Sequence, residues 1–153
     1  MSLVWPRPGR RSPRRVRVSE FRARSFDAFR VRPAPTVLRG RSLQGEERIR
    51  ALRRLTLVVA VKSDCEGCHD FVHGDLRGLE GVEVVVVSAT SGDETWLDAV
   101  QPILVAPELM KELGIRTAPF YVLIDAARSL IVAEGTLFSP AQVASEIARH
   151  LAT

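Results

Sequence analysis

The sequence predicts an α/β domain in which a mixed central sheet lies between helices on both of its faces, a three-layer α/β/α architecture. Two runs rich in β-branched residues, "LTLVVAVK" (55–62) and "VEVVVVSA" (82–89), are typical of strands that are covered on both faces. A helical pattern separates these runs, so the two strands are expected to be parallel. The later runs "FYVLID" (120–125) and "SLIVAEG" (129–135) are joined by a short turn and predict a hairpin, which adds antiparallel neighbours.

Helical patterns fill the intervals around these strands. Ser42 opens "SLQGEERIRALRR" (42–54), where a capping hydroxyl and a sparse apolar face predict the first helix. Ser139 and Pro140 open the last helix, "SPAQVASEIARHLA" (139–152), as its cap and its first-turn proline. From residue 42 the predicted order is therefore α-β-α-β-α-α-β-β-α. The helices in the middle of this order are predicted from "CHDFVHGDLRGL" (68–79), "SGDETWLDAVQ" (91–101) and "APELMKELG" (106–114).

Charge divides the chain into two parts. Residues 1–55 hold sixteen arginines and four acidic residues, a net charge of +12, whereas residues 56–153 have a net charge of −8. With the prolines and serines of the first part, this predicts a basic, partly disordered N-terminal extension over 1–40 and a folded domain over 41–153. The end of the extension, 20–32, fits either a short amphipathic helix or an added strand at a sheet edge. The arginines would suit nucleic acid or an anionic surface as a partner, but a solvated basic tail is the simpler interpretation.

The chain contains no apolar run near the length of a membrane-spanning helix. The longest run extends from Leu55 to Val61 and is interrupted only by Thr56. The arginine-rich N-terminus also has no apolar stretch behind it of the kind that a secretory signal needs. We therefore expect no transmembrane segment and a cytoplasmic location. An extracytoplasmic location is the alternative if an anchor or signal is missing from the sequence.

Both cysteines and two of the three histidines lie in "DCEGCHDFVH" (64–73). Cysteines three positions apart in a reducing compartment indicate redox chemistry or metal binding rather than a structural cross-link. Zinc would take Cys65, Cys68, His69 and His73, although structural zinc sites usually draw their ligands from two separate segments. The C-x-x-C-H letters also match a haem attachment site, but the flanking strand and amphipathic helix do not suit a haem pocket. We favour redox exchange, which needs no bound metal or cofactor.

A strand that runs directly into C-x-x-C at the start of a helix resembles half of the thioredoxin signature. The segment "LGIRTAPFYVLID" (113–125) resembles the other half, in which a cis-proline opens a strand beside the active site. The resemblance covers residues 42–153 and implies a thioredoxin-like thiol–disulfide oxidoreductase. It assigns Cys65 as the nucleophile, Cys68 as the resolving thiol and Pro119 as the cis-proline.

The resemblance also implies a substrate and a surface that binds it. The substrate would be a protein disulfide or dithiol, and a separate electron donor would restore the thiol pair. Ala118 would offer its backbone to a substrate strand just before Pro119. Glu66 and Gly67, the two residues between the cysteines, would contact the substrate from the other side.

The buried acidic residue that thioredoxins carry six positions before the first cysteine falls on Val59 in this chain. Proton transfer to and from Cys68 would then need another base, or turnover would be slow. This departure favours the competing hypothesis, a thioredoxin-like module that binds a protein partner near Pro119 and has little catalytic activity. A zinc-binding protein is the third hypothesis.

The surroundings of Cys65 also differ from those in thioredoxin. Asp64 replaces the family's tryptophan, and Glu66-Gly67 replaces its Gly-Pro pair. The two carboxylates are expected to raise the pKa of the Cys65 thiol, against the effect of the helix dipole, whereas a protonated His69 would lower it. A glutamate at this place also resembles the membrane-anchored reductases of cytochrome c maturation, which carry a Glu-Pro pair.

Four further residues have two interpretations each. His73 is expected to be a solvent-facing helix residue rather than a ligand, and His150 to complement the dipole at the end of the last helix. Trp96 and Phe120 are either contacts for a partner or packing residues of the domain.

Overall fold

The structure, a computed structural model, describes residues 30–74, 76–91, 96 and 98–151. The chain separates into two compact units, 1–30 and 31–153, and every element described here belongs to the second unit. The strands of that unit are β1 (Arg32–Pro33), β2 (Val37–Arg41), β3 (Glu47–Ala51), β4 (Leu55–Ala60), β5 (Glu83–Ser88), β6 (Ile103–Val105), β7 (Phe120–Asp125) and β8 (Leu130–Thr136). Its helices are α1 (Glu66–Val72), α2 (Pro107–Glu112) and α3 (Pro140–Leu151).

The strands form one mixed sheet in the order β1-β8-β7-β4-β5-β6-β2-β3. β4 is parallel to β5, and β5 is parallel to β6. β7 is antiparallel both to β4 and to β8. The predicted mixed sheet is thereby confirmed, including the parallel pair and the hairpin that follows it.

Alternate residues of β4 pack on opposite sides of the sheet. Leu57 and Val59 belong to an apolar cluster that also contains Phe71 of α1 and Ile147 of α3. Val58 lies between them in the chain and is equally buried. Because successive side chains of a strand point to opposite faces, both faces of the sheet are covered. This double burial explains why the strand is apolar at every position except Thr56.

Residues 42–54 do not form the predicted helix. The turn that follows β2 and the strand β3 lie there, and β3 pairs antiparallel with β2. The hydroxyl of Ser42 accepts two backbone N–H groups of this turn at 3.2 and 3.1 Å. Gly45 has a φ of 87° within this turn, a conformation that glycine adopts without strain. The apolar residues are too few to give a helix a buried face, and Ile49 remains 56% exposed in the hairpin.

The compact unit begins at Val31, so residues 31–40 belong to it and not to the predicted extension. β1 pairs with β8 at one edge of the sheet. It shares only Arg32 with the segment 20–32, for which a helix or an edge strand was predicted, and residues 20–29 of that segment lie outside the described residues. The guanidinium of Arg32 donates to the carboxylate of Glu134 and to the carbonyl of Leu113, the latter at 2.7 Å. Residues 1–29, on which the prediction of disorder and of an anionic partner falls, lie outside the described residues.

Four further predictions concern helices. α1 begins at the motif as expected but ends at Val72, well before residue 79. α2 and α3 confirm the helices expected around 106–114 and 139–152, and most of the helix expected over 91–101 falls outside the described residues. The short strand β6 was not predicted. Of the helices in the described part of the chain, none is long and apolar enough to cross a membrane.

Candidate functional site

The C-x-x-C motif lies where β4 passes into α1. Cys65 and Cys68 form a disulfide, with their Cα atoms 5.2 Å apart. Cys65 is the N-cap residue of α1, with extended backbone angles, and its sulfur accepts the backbone N–H of Cys68 at 3.2 Å. Cys65 is half-buried, whereas Cys68 is completely buried in the apolar cluster. The two cysteines of the disulfide therefore differ in exposure, and only Cys65 reaches the surface.

Gly67 brings the motif into contact with a second loop. A Cβ at this position would overlap the carbonyl group of Phe138 and would lie 2.8 Å from its carbon atom. The side chain of Phe138 itself is 70% exposed. Only glycine therefore permits this approach of the two backbones. The aromatic ring of Phe138, whose backbone makes the contact, is exposed at the surface.

The same loop meets the segment around Pro119. The peptide bond between Ala118 and Pro119 is cis, and both residues are half-buried. The backbone N–H of Leu137 donates to the carbonyl of Pro119 at 3.5 Å. Since Leu137 and Phe138 are consecutive, one loop contacts both Pro119 and Gly67. The cysteine motif and Pro119 thus meet at the same end of the sheet.

Val59 is completely buried in β4, so the position that carries an acid in thioredoxin is apolar in this structure. Its neighbour across the strand pair is Tyr121, whose hydroxyl donates to Glu146 at 2.8 Å. Burial, and then the hydrogen bond to Glu146, raise the pKa of Tyr121 well above its usual value. Tyr121 is a buried polar group that the sequence analysis missed. Its position in a hydrophobic run offered no signal beyond the residue type.

The acidic residues beside Cys65 are exposed. Asp64 lies 3.9 Å from the ammonium group of Lys62, which partly offsets its charge, and Glu66 points its carboxylate to the surface. Exposed charges are screened by water and salt, so their effect on the Cys65 thiolate is smaller than that of a buried charge.

The histidines form a short stack beside the motif. The rings of His69 and His73 are parallel within 6° with centroids 5.7 Å apart, and the ring of Trp96 lies 5.9 Å from that of His69. Nε2 of His69 is 3.3 Å from the carbonyl oxygen of Ser63. Trp96 is buried, which identifies it as a packing residue.

Three further predictions concern a metal site, His150 and Phe120. Within the described ranges, no three histidine, cysteine or carboxylate side chains converge as ligands of a metal ion. Burial, and then the nearby Arg149 and Arg128, lower the pKa of His150. A lowered pKa leaves this imidazole less charged, so it is a poor partner for the dipole of α3. Phe120 is half-buried at the start of β7.

No family model matches the chain, and no curated protein matches it. Solved structures do match. A thioredoxin-family thiol:disulfide interchange protein from Chlorobium tepidum is 18% identical over 80% of this chain and 98% of its own, with a TM-score of 0.56. The thioredoxin domain of a thiol-disulfide oxidoreductase from Bacteroides vulgatus is 17% identical over 78% and 96%, with a TM-score of 0.58.

StoA from Bacillus subtilis is 20% identical over 74% of this chain and 98% of its own, with a TM-score of 0.55. The three alignments cover most of this chain and almost the whole length of each solved structure. Identity at this level shows a common fold. The chain is therefore a thioredoxin-fold protein, and the predicted resemblance to the thioredoxin-like thiol–disulfide oxidoreductases is confirmed at the level of the fold.

Proposed function

We propose that this protein is a thiol–disulfide oxidoreductase that exchanges electrons with a protein partner through Cys65 and Cys68. The observation that carries the proposal is the asymmetry of the disulfide. Cys65 is accessible at the start of α1, and Cys68 is buried behind it. Several proteins of the same fold are named as thiol–disulfide oxidoreductases, which supports the same chemistry for this pair.

In the reducing direction, the thiolate of Cys65 attacks a disulfide of the partner and releases one partner sulfur as a thiolate. A mixed disulfide then joins Cys65 to the other partner sulfur. Cys68 loses its proton and attacks Cys65, which forms the internal disulfide and releases the second partner thiol. Two electrons and two protons pass to the partner, and a separate thiol donor restores the reduced pair. The oxidising direction reverses these steps.

The partner is expected to bind as an extended segment between the two loops at this end of the sheet. Pro119 has no N–H, so the backbone groups of Ala118 beside it stay available to a substrate strand. Glu66 and Gly67 form the opposite side, and the exposed ring of Phe138 adds an apolar contact. We propose the cytoplasm as the location.

Reduction of insulin, or of a defined peptide disulfide, by the protein with dithiothreitol as electron donor tests this proposal. Wild-type protein should increase the rate above that with dithiothreitol alone, and Cys65→Ser should abolish the increase. Cys68→Ser should instead trap a mixed disulfide, visible by mass spectrometry as the mass of the protein plus that of one partner chain. No increase in rate and no trapped species would refute the proposal.

One observation favours a second candidate function. Val59 is apolar and completely buried, so no carboxylate assists Cys68 from β4. A thioredoxin-fold module that binds a partner without turnover would need no such group. It predicts a partner-binding affinity that is the same for wild-type protein and for the double variant Cys65→Ser, Cys68→Ser, together with no disulfide reduction by either.

A further inference from the structure

Gln142, in the first turn of α3, makes four hydrogen bonds through its side-chain amide. Its Oε1 accepts the backbone N–H groups of Phe138 and Ser139 at 2.8 and 3.2 Å. Its Nε2 donates to the carbonyl of Thr136 at 3.0 Å and to the carboxylate of Glu146. A glutamine amide offers two N–H donors and two acceptor positions, so the hydrogen-bonding capacity of this side chain is fully used.

These bonds hold the loop that follows β8 at the place where it contacts the redox site. The carbonyl of Phe138 lies against Gly67 of the cysteine motif. The N–H of Leu137, the residue before it, donates to the carbonyl of Pro119 at 3.5 Å. A displacement of this loop would therefore change the spacing between the cysteine motif and Pro119.

Glu146 fixes the amide of Gln142 from the opposite side. Its two carboxylate oxygens accept from different donors, Oε2 from Gln142 and Oε1 from the hydroxyl of Tyr121 at 2.8 Å. Tyr121 is buried in β7, so its hydroxyl needs an acceptor within the protein. Gly135 leaves room for the pair, since a Cβ there would lie 3.2 Å from the hydroxyl and 3.4 Å from Oε1 of Glu146. The loop is thereby connected to the interior of the sheet through two side chains.

We propose that Gln142 and Glu146 are positioning residues of the redox site, which hold the loop at the spacing that a partner segment requires. The inference rests on the function proposed above. Neither residue reacts, because both act through the backbone of Leu137 and Phe138. Loss of either side chain should therefore weaken the binding of a partner and leave the reactivity of Cys65 unchanged.

The test measures the reduction of a fluorescence-quenched peptide disulfide, with leucine beside each cysteine and dithiothreitol as electron donor. Gln142→Ala and Glu146→Ala should each raise KM at least about threefold and leave kcat within about twofold, because a contact that acts equally before and during the reaction changes KM alone. Alkylation of reduced Cys65 by iodoacetamide should also stay within about twofold of the wild-type rate. Glu112→Ala removes an exposed glutamate of α2 and is the matched control, with KM unchanged within about twofold. Circular dichroism confirms that every variant is folded at the temperature of the assay.

Exchange of the two side chains separates positioning from packing. Gln142→Glu preserves the size of the side chain but removes both donors and brings two carboxylates together, so KM should rise at least as far as in Gln142→Ala. Addition of Glu146→Gln restores a donor and an acceptor between positions 142 and 146. The double variant should then have a KM at least about twofold lower than that of Gln142→Glu alone. A role in packing predicts no such recovery.

Amide hydrogen exchange gives a readout that does not depend on activity. The N–H groups of Leu137 and Phe138 should exchange at least about threefold faster in Gln142→Ala than in the wild-type protein, and those of β4 should not change. Unchanged exchange at both amides, an unchanged KM in both alanine variants, a fall in kcat in place of the rise in KM, or no recovery in the double variant would overturn the inference. A wild-type protein that does not reduce the peptide refutes the proposed function instead, and hydrogen exchange then still decides whether Gln142 holds the loop.

Discussion

Gly67→Ala tests the contact between the cysteine motif and the loop that follows β8. The added methyl group would meet the carbonyl group of Phe138, with the carbon atom 2.8 Å away. This neighbour is backbone, and it is held in place, because the N–H of Phe138 donates to the side chain of Gln142 at 2.8 Å. The loop cannot move aside without breaking that hydrogen bond.

The size of the effect follows from two opposing contributions. Overpacking against a rigid neighbour costs typically about 1–3 kcal/mol. The alanine restricts the unfolded chain and returns about 0.4–1 kcal/mol. Gly67→Ala should therefore lower the free energy of unfolding by about 1–2 kcal/mol, which corresponds to a fall in Tm of several degrees.

Gly81→Ala is the matched control, because the nearest atom to its added Cβ is a methyl group of Leu151 at 4.0 Å. That variant should be neutral or slightly stabilised. Urea unfolding of both variants in the oxidised state measures the difference. If Gly67→Ala and Gly81→Ala differ by less than about 0.5 kcal/mol, the close approach of Gly67 to the loop does not constrain the protein, and our account of this position is wrong.

Three further predictions concern the interior and the edge of the domain. The folded state raises the pKa of Tyr121, so the stability that its neutral form contributes is complete below about pH 10 and is lost as the pH rises above it. The free energy of unfolding of wild-type protein, measured with urea, should therefore fall more steeply between pH 9 and 11 than that of Tyr121→Phe. The absorbance of the sole tyrosine should show phenolate only at a higher pH in the folded protein than in the urea-unfolded protein. In the reduced protein, iodoacetamide should modify Cys65 at least about tenfold faster than Cys68, and equal rates by mass spectrometry would contradict the difference in burial. Arg32→Met should lower the free energy of unfolding by about 1–2 kcal/mol, because the side chain no longer donates to Glu134 of β8 and to the carbonyl of Leu113 at the end of α2. An unchanged urea midpoint would contradict this.

The central strands and the last helix could be predicted because their local sequence patterns agree with their burial. β4 and β5 are mostly apolar, with polar residues only at Thr56, Glu83 and Ser88, and both strands lie inside the sheet. α3 carries its own start signal. The hydroxyl of Ser139 accepts the N–H of Gln142 at 3.1 Å, and the side chain of Gln142 accepts the N–H of Ser139 at 3.2 Å. Such signals are contained within a few residues and need no knowledge of the rest of the fold.

The β2–β3 hairpin could not be predicted in the same way. "ERIRA" alternates charged and apolar residues, as a strand does, but its five residues are all exposed and give no buried face to recognise. The strand exists because β2 supplies its hydrogen-bonded partner, and β2 lies in a stretch whose arginines and prolines suggested disorder. The contact between Gly67 and Phe138 could not be predicted either. The two residues lie seventy-one positions apart, and the local sequence around one of them does not indicate the other.

Under the proposed function, the burial of Cys68 and the apolar character of Val59 together decide how far exchange proceeds. A partner would reach Cys65 directly, so a mixed disulfide would form without help from the interior. Its release requires a thiolate at Cys68, and an apolar environment disfavours that charged form. The lifetime of the mixed disulfide therefore determines whether the protein acts as a catalyst or as a module that holds its partner.

Val59→Asp shifts this balance in a measurable direction. A carboxylate in β4 should accept the proton of Cys68 and shorten the lifetime of a mixed disulfide with a chromogenic thiol by at least about tenfold. Burial of the charge should also lower the free energy of unfolding by about 3 kcal/mol or more. Val59→Asn should destabilise the fold without shortening the lifetime, which separates proton transfer from loosened packing. If Val59→Asn speeds release as much as Val59→Asp does, access to Cys68 limits the exchange and its proton does not. In the wild-type protein, release should accelerate with rising pH, because the thiolate fraction of Cys68 grows, and a release rate independent of pH would refute the same reasoning without any substitution.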